Sequence, residues 1–371
     1  MASSTPSIPP TMRAWLRPTR GPAATALKLS TTQPTPTVAP DSADVLVRVS
    51  YSALQFSGEW ALQTLPALPG APPRIPELEF SGVVAAAGSR APPELREVGA
   101  RVVAAHTIPS LIIFGYGALA EYVKVPADQA VRLPDSVDLT TASGMVGCGS
   151  TALKMVRAAA VGQGDRVLVN GASSSVGSVL VQICKMKGAT VVGTASGRNE
   201  ELVRGLGVDE VRFSKSTNVG CVLIWLFCQF VDYTAHSSLP EYLKSKYSKE
   251  QFDSILDCAG IQSLYSNSPD YLKPSGPVVN VGVFEGVWMT ARNWFTNTWW
   301  PKWLGGVPRR YIMFSTPPSK DSATYTARLV EEGKVRILID SVWDMEDLVK
   351  AYARIATKHA RGKVIIKIGK D

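Results

Sequence analysis

Val167-Leu168-Val169-Asn170-Gly171-Ala172-Ser173-Ser174-Ser175-Val176-Gly177 is the stretch on which the fold turns. Its apolar start predicts a buried strand over 166–170, followed by a tight turn of small residues and a helix from Val176 through Met186. Such a turn aims backbone N–H groups and the positive end of the helix at one point, which suits the pyrophosphate of a dinucleotide. Gly171, Ser173, Ser174, Ser175, Val176 and Gly177 are therefore the candidate phosphate contacts. A glycine-containing turn alone also serves plain packing. Its place between a strand and a helix is what points to a ligand.

The next segment discriminates between coenzymes. Thr190-Val191-Val192-Gly193-Thr194 reads as the following strand, and after it come Ala195-Ser196-Gly197-Arg198. A site for NAD places Asp or Glu at this strand end to bond the ribose hydroxyls. A hydroxyl at Ser196 and a guanidinium at Arg198 instead suit a 2′-phosphate through charge-assisted hydrogen bonds, so NADP is expected. The alternative for Arg198 is a solvated side chain over a loop.

Beyond this unit the rhythm persists. A helix is expected across Glu200 to Leu206, with later strands at Ser254-Ile255-Leu256-Asp257 and Val278-Val279-Asn280-Val281. Strand alternating with helix predicts a doubly wound parallel sheet. Upstream, about residues 12–140 carry short β-like segments at Val45–Val49, Phe80–Val84, Arg101–Val103 and Tyr122–Val125, separated by Pro and Gly turns. They suggest a barrel-like β domain. Downstream, a helix over Glu346–Ala356 and a strand over Lys363–Ile368 read as a return to that domain. The expected division is 12–140, 141–315 and 316–371. No internal repeat is evident.

Composition narrows the class. The chain has 371 residues, 45% hydrophobic and 19% charged, enough for two domains without metal or disulfide support. Net charge is +8, but Lys and Arg are scattered, without the basic, aromatic-interleaved footprint of a nucleic-acid binder. Cys148, Cys184, Cys221, Cys228 and Cys258 form neither a disulfide framework nor a CxxC pair, and a reducing compartment is expected. The first residues lack a secretory pattern, so the expectation is cytoplasmic. Arg13, Arg17, Arg20 and Lys28 all precede the first acid, Asp41, which keeps a mitochondrial address open.

Several segments in order resemble the zinc-free, quinone-reductase-like branch of the medium-chain dehydrogenase/reductase superfamily, to which zeta-crystallin and fungal zinc-free reductases belong. They are Gly117-Ala118-Leu119-Ala120-Glu121-Tyr122-Val123, a Gly149-Ser150-Thr151-Ala152 turn, the phosphate loop, Phe252-Asp253-Ser254-Ile255-Leu256-Asp257-Cys258-Ala259-Gly260, Gly276 with Val281-Gly282, and Gly362-Lys363-Val364. The resemblance covers Arg13 to Ile368. It implies a GroES-like β-barrel domain joined to a Rossmann domain, an NADP coenzyme, and a homodimer. It also implies coenzyme contacts at Thr151, Val281, Gly282 and Lys363, with Ser196, Arg198 and Tyr233 around the adenosine 2′-phosphate. Ser174 and Ser175 replace the usual pair of glycines, and Ser174 or Ser175 remains able to cap the helix.

A second departure is RFSKSTNVGCVLIWLFCQF, residues 212–230. Leu206-Gly207-Val208-Asp209-Glu210-Val211 would join Val231-Asp232-Tyr233 smoothly without it. Two readings stand: a translated intron or gene-structure error, and a genuine apolar insertion that contacts a membrane or partner.

Zinc-dependent members of the superfamily need Cys and His ligands in the first domain. Here the corresponding stretch is Gln55-Phe56-Ser57-Gly58, and His106 stands without a partner pattern. Without a metal, the workable reaction is hydride delivery to an already electrophilic small hydrophobic quinone or α,β-unsaturated carbonyl. Gln55 is the candidate donor to the substrate carbonyl. Trp60 is the candidate wall of the nicotinamide pocket, with no hydroxyl to give a proton. The alternative for both is packing. Two rival functions remain, an enoyl reductase of a biosynthetic pathway and a coenzyme-binding sensor or scaffold without turnover. Finally, Trp288, Trp294, Trp299, Trp300 and Trp303 crowd between Gly286 and Gly305 among basic residues. That pattern fits a lid or interface, or a weak membrane-surface contact.

Overall fold

The computed structural model describes residues 7–64, 74–107, 109–207, 229–314 and 319–369. They divide into two units, one within 1–150 and 317–371, the other within 151–316.

In the first unit, β1 (Thr11–Leu16) and β2 (Lys28–Pro34) pair antiparallel around the short α1 (Ala23–Ala26). The centre is the long β3 (Asp44–Leu54), whose Val45, Val47 and Val49 are buried while Arg48 faces solvent. After β3 comes α2 (Phe56–Thr64), then β4 (Glu79–Ala87), β5 (Arg101–Ala105), β6 (Tyr122–Pro126) and β7 (Ala130–Arg132). Two helices follow, α3 (Leu139–Ser143) and α4 (Met145–Ala158), the latter crossing the division between the units.

The second unit alternates strand and helix: β8 (Arg166–Asn170), α5 (Ser175–Met186), β9 (Thr190–Ala195), α6 (Glu200–Arg204), β10 (Gln229–Asp232), α7 (Leu239–Tyr247), β11 (Ser254–Asp257), α8 (Gln262–Ser266), β12 (Pro277–Asn280), α9 (Val287–Trp299) and β13 (Arg310–Met313). The six strands are parallel in the order β10-β9-β8-β11-β12-β13. Strands covered on both faces need continuous apolar runs, and β8, β9, β11 and β12 supply them. The order reverses between β8 and β11, the switch point where ligands meet open α/β sheets.

The chain then returns to the first unit as α10 (Lys320–Glu331), β14 (Ile339–Asp344), α11 (Leu348–Ala356) and β15 (Lys363–Lys367). The resulting sheet runs β14-β15-β3-β4-β5-β7, with β6 also on β3. Its core gathers Val47, Phe80, Leu95, Leu119, Tyr352 and Ile366.

One expectation needs correction. The Gly149–Ala152 stretch is not a turn but lies inside α4, which begins at Met145. Its glycines serve close packing rather than backbone freedom: a Cβ on Gly149 would run into the Thr326 side chain, and one on Gly147 into the Glu79 carboxylate. The Trp-rich stretch opens with α9, which is turned inside out. Thr290, Asn293 and Asn297 face inward at helical spacing, with Asn297 and Gln262 exchanging amide hydrogen bonds of 2.8 and 2.9 Å. Trp288, Phe295 and Trp299 stand outward, Trp288 at 88% exposure.

Of the suspected insertion 212–230, residues 212–228 lie outside the described residues, as do Cys221 and Cys228; Gln229 and Phe230 open β10 beside Val192 and Gly193. No helix among the described residues is long and apolar enough to cross a membrane.

Candidate functional site

The phosphate loop folds as its residues dictate. Gly171 has φ +79°, which glycine adopts without the steric cost other residues meet. Gly177 has no room for a side chain, because a Cβ there would press on the Gly171 carbonyl oxygen. Ser174 caps α5, its Oγ accepting the Gly177 N–H at 3.0 Å. The capping expected of a serine in place of glycine is thus what Ser174 does. By position, the first N–H groups of α5 at Ser175 and Val176 lack intrahelical acceptors, and they are what a phosphate would take.

A polar network that the sequence reading did not single out holds this turn against the sheet. The Gly171 N–H donates to Thr194 Oγ1 at 3.2 Å, and Thr194 Oγ1 donates to Asn170 Oδ1 at 2.6 Å. Asn170 Nδ2 in turn donates to Asp257 Oδ1 at 2.8 Å. The carboxyl ends of β9, β8 and β11 are thereby tied together. Asp257 also accepts the N–H groups of Ala259, Gly260 and Ile261, each at 2.9 Å. Burial still pushes its carboxyl above the ordinary range, against the pull of Gly260, Asn170 and Ile261. One strand further, Asn280 accepts the Gly282 N–H at 2.8 Å and donates to the Tyr311 hydroxyl at 2.9 Å. Gly282 and Gly260 touch so closely that a Cβ on either would strike the other strand's backbone. That contact fixes Val281-Gly282 at the same carboxyl edge as the phosphate loop.

Asn199 is the second residue that sequence reasoning missed. Its Nδ2 donates to Ser173 Oγ at 3.0 Å and to Ser196 Oγ at 3.1 Å, joining the phosphate loop to the turn after β9. Asn199 Oδ1 is buried without a hydrogen-bond partner among the described residues. Arg198 and Tyr233 are exposed on two neighbouring turns of this edge. Asp232 reaches the same place from β10, its Oδ1 accepting from Thr234 at 2.9 Å (N–H) and 2.6 Å (hydroxyl). Burial works against ionisation of Asp232, but the bonds from Thr234 and Gly197 outweigh it and hold the carboxyl below its usual range. A cradle with no space for side chains, helix N–H groups and an orphaned amide oxygen at one edge fit a dinucleotide.

The remaining candidates stand in or at the edge of the first unit. Thr151 is half-buried in α4. Gln55 precedes α2 and Trp60 lies on it, 37% exposed. Lys363 is buried on β15, and its ammonium pairs with Glu79 Oε1, while Glu79 Oε2 accepts the Gly147 N–H at 2.7 Å. Beside them Glu77, also buried, accepts from the Gln55 N–H at 3.1 Å and the Tyr352 hydroxyl at 2.6 Å. Neither Glu77 nor Glu79 stands in a recognisable motif. His106 is buried, its Nε2 without a hydrogen-bond partner among the described residues, and burial pushes its imidazole down to about 4. Among the described residues, no three His, Cys, Asp or Glu side chains gather as a metal would require.

Known proteins share this architecture. Residues 41–135 match the alcohol dehydrogenase GroES-like domain family, and residues 227–366 the family described as zinc-binding dehydrogenase. The chain is 45% identical to the medium chain reductase pydE of an Acremonium species, over 96% of this chain and 99% of that protein. It is 32% identical to the trans-enoyl reductase poxH of Penicillium oxalicum, over 97% and 99%. Among solved structures, the quinone oxidoreductase of Coxiella burnetii superposes with a TM-score of 0.75 at 23% identity, over 96% and 99%, a likeness of fold. With a GroES-like first domain, a parallel-sheet second domain and a dinucleotide cradle at the switch point, the chain belongs to the medium-chain dehydrogenase/reductase superfamily and is a nicotinamide-dependent oxidoreductase.

Proposed function

We propose that this protein is an NADPH-dependent reductase that delivers hydride, without zinc, to a quinone or an α,β-unsaturated carbonyl. The observation that carries the reading is the edge formed by Ser173, Ser196 and Asn199 with Arg198 beside it, which offers hydroxyls and a guanidinium where a 2′-phosphate would lie. When bound, NADPH supplies the hydride. In the first unit, Gln55 donates its side-chain amide to the acceptor oxygen on which negative charge develops. Trp60 gives a flat apolar wall and no hydroxyl, so the completing proton comes from solvent. The donor set at 55–58, Gln-Phe-Ser-Gly, favours an acceptor electrophilic enough to need no Lewis acid.

Relatives support the substrate class: two are named trans-enoyl reductases, of Penicillium oxalicum and Aspergillus terreus, and one is named a chloroplast envelope quinone oxidoreductase homolog, of Arabidopsis thaliana. The test is NADPH oxidation against a panel of enones, enoyl thioesters and quinones in the presence of a chelator. Turnover that survives chelation supports the reading. Turnover restored only by zinc contradicts it. Arg198→Ala should weaken NADPH binding about tenfold and leave NADH unchanged, in keeping with a charge-assisted bond.

We also propose a weak contact with anionic membrane surfaces through the outward face of α9 and the segment that follows it. From Gly286 to Met313 the sequence carries Arg292, Lys302, Arg309 and Arg310 and no acidic residue, while Trp288 and Trp303 are 88% and 82% exposed. Flotation with phosphatidylserine vesicles should carry the protein at low salt, and failure to float ends the idea. A homodimer remains part of the proposal, and light scattering on a sizing column decides it. The site of action is proposed to be the cytoplasm, with mitochondria the alternative that cell fractionation resolves.

A further inference from the structure

We propose that Glu77 is a positioning residue, whose buried carboxylate sets the backbone of Gln55 and the first turn of α2, and so the aim of both Gln55 and Trp60. The inference rests on the functional reading above, in which those two side chains face the acceptor.

Three segments far apart in sequence, at residues 55–58, 77 and 352, meet at this carboxylate. Its Oε2 accepts the Gln55 N–H at 3.1 Å, just before α2 begins. Its Oε1 accepts the Tyr352 hydroxyl at 2.6 Å from α11, the helix that packs on α2. Gly58, in the first turn of α2, lies so near Oε1 that a Cβ there would collide with it, so the carboxylate reaches the helix only because residue 58 is glycine. Gly58 N–H in turn closes on Gln55 O at 2.9 Å. Glu77 itself sits at φ +64°, a backbone region that non-glycine residues enter at a steric cost. A buried carboxylate on a strained backbone, with no cation bonded to it among the described residues, is an expensive arrangement for packing alone.

Lys363, whose charge acts on Glu77, is itself paired with Glu79. The groups that bear on Glu77 are Tyr352 from α11, Lys363 from β15 and Glu79 from β4, with Glu59 of α2 acting on Tyr352. Burial raises the Glu77 carboxyl to about 7, against the bonds from Tyr352 and Gln55 and the charge of Lys363. The ionised form can accept both N–H and O–H. Protonation spends one oxygen on a donor and should loosen the Gln55 anchor.

The test compares wild type, Glu77→Gln, Glu77→Asp and Tyr352→Phe. Hydrogen exchange of peptides spanning residues 54–64 is read first, without substrate: Glu77→Gln should exchange there at least fivefold faster. Steady-state reduction is then followed from pH 5.5 to 9. In wild type, kcat should rise through about pH 7. Glu77→Gln should lose that rise and fall about tenfold in kcat at pH 8, with the NADPH Kd changed less than twofold. Glu77→Asp should recover part of the rate with a pH-dependent limb, and Tyr352→Phe should move the limb to higher pH. Unchanged exchange in folded Glu77→Gln overturns the proposal, whatever the turnover. So does faster exchange with an unchanged kcat and pH profile. A wild type that reduces no acceptor defeats the functional reading instead, a result told apart by the exchange data.

Discussion

The two units handle polar groups in opposite ways. At the carboxyl edge of β8, β9 and β11 the frame is built from neutral partners, Gly171, Thr194 and Asn170, around the Asp257 carboxyl, which takes four donors. In the first unit, Glu77 and Glu79 lie buried within two residues of each other, with one lysine and one tyrosine to compensate them. A site that binds through backbone N–H groups needs a rigid frame and little charge. A site that must hold one segment against a helix from another part of the chain uses strong, directional anchors, and their cost makes them sensitive to pH and substitution.

The contrast can be broken most forcefully at the ion pair. Lys363→Met leaves Glu79 buried and uncompensated, and urea unfolding should show a loss of about 3–5 kcal/mol. Adding Glu79→Leu to that variant should restore most of it. Next comes the pH dependence set by Glu77. Its carboxyl titrates higher in the folded protein, at about 7 against 4.5. The folded state therefore holds its proton more firmly, and stability is full below about pH 4.5 and declines as pH rises through about 7. The span is on the order of 3 kcal/mol. Comparing urea midpoints of wild type and Glu77→Gln across pH 4.5–8 isolates it, since the glutamine variant should lack that decline.

The second unit should respond through geometry rather than charge. Gly177→Ala forces a Cβ onto the Gly171 carbonyl and should cost about 1–3 kcal/mol while abolishing coenzyme binding in a fluorescence titration. Ser174→Ala removes only the cap and should cost about 1 kcal/mol, with a thermal shift of a few degrees. A Ser174→Ala loss as large as that of Lys363→Met would erase the distinction between the units.

The same contrast explains what could be read in the sequence. β8, the turn and α5 were legible because backbone recognition imposes small residues at fixed local spacing between an apolar strand and a helix. The strand over 254–257 was equally plain, four buried residues between turns. Glycine misled at 149–152, where the same residue type marks close packing inside α4 instead of a turn. Gln55, Gly58, Glu77 and Tyr352 form one constellation, but 275 residues separate Glu77 from Tyr352, and no local pattern records such a meeting. Asn199 carries no local signal of its role, because Ser173, which it ties to Ser196, lies 26 residues away in sequence. For residues 212–230 the proposal of a retained intron stands, and transcripts that span 211 to 231 without the intervening codons would support it, whereas abundant message retaining them would remove it.

The most direct measurement is a titration of the purified protein with NADPH and NADH, read by tryptophan fluorescence. The account predicts saturable NADPH binding at least tenfold tighter than NADH. Equal affinity, a preference for NADH, or no binding of either would contradict it.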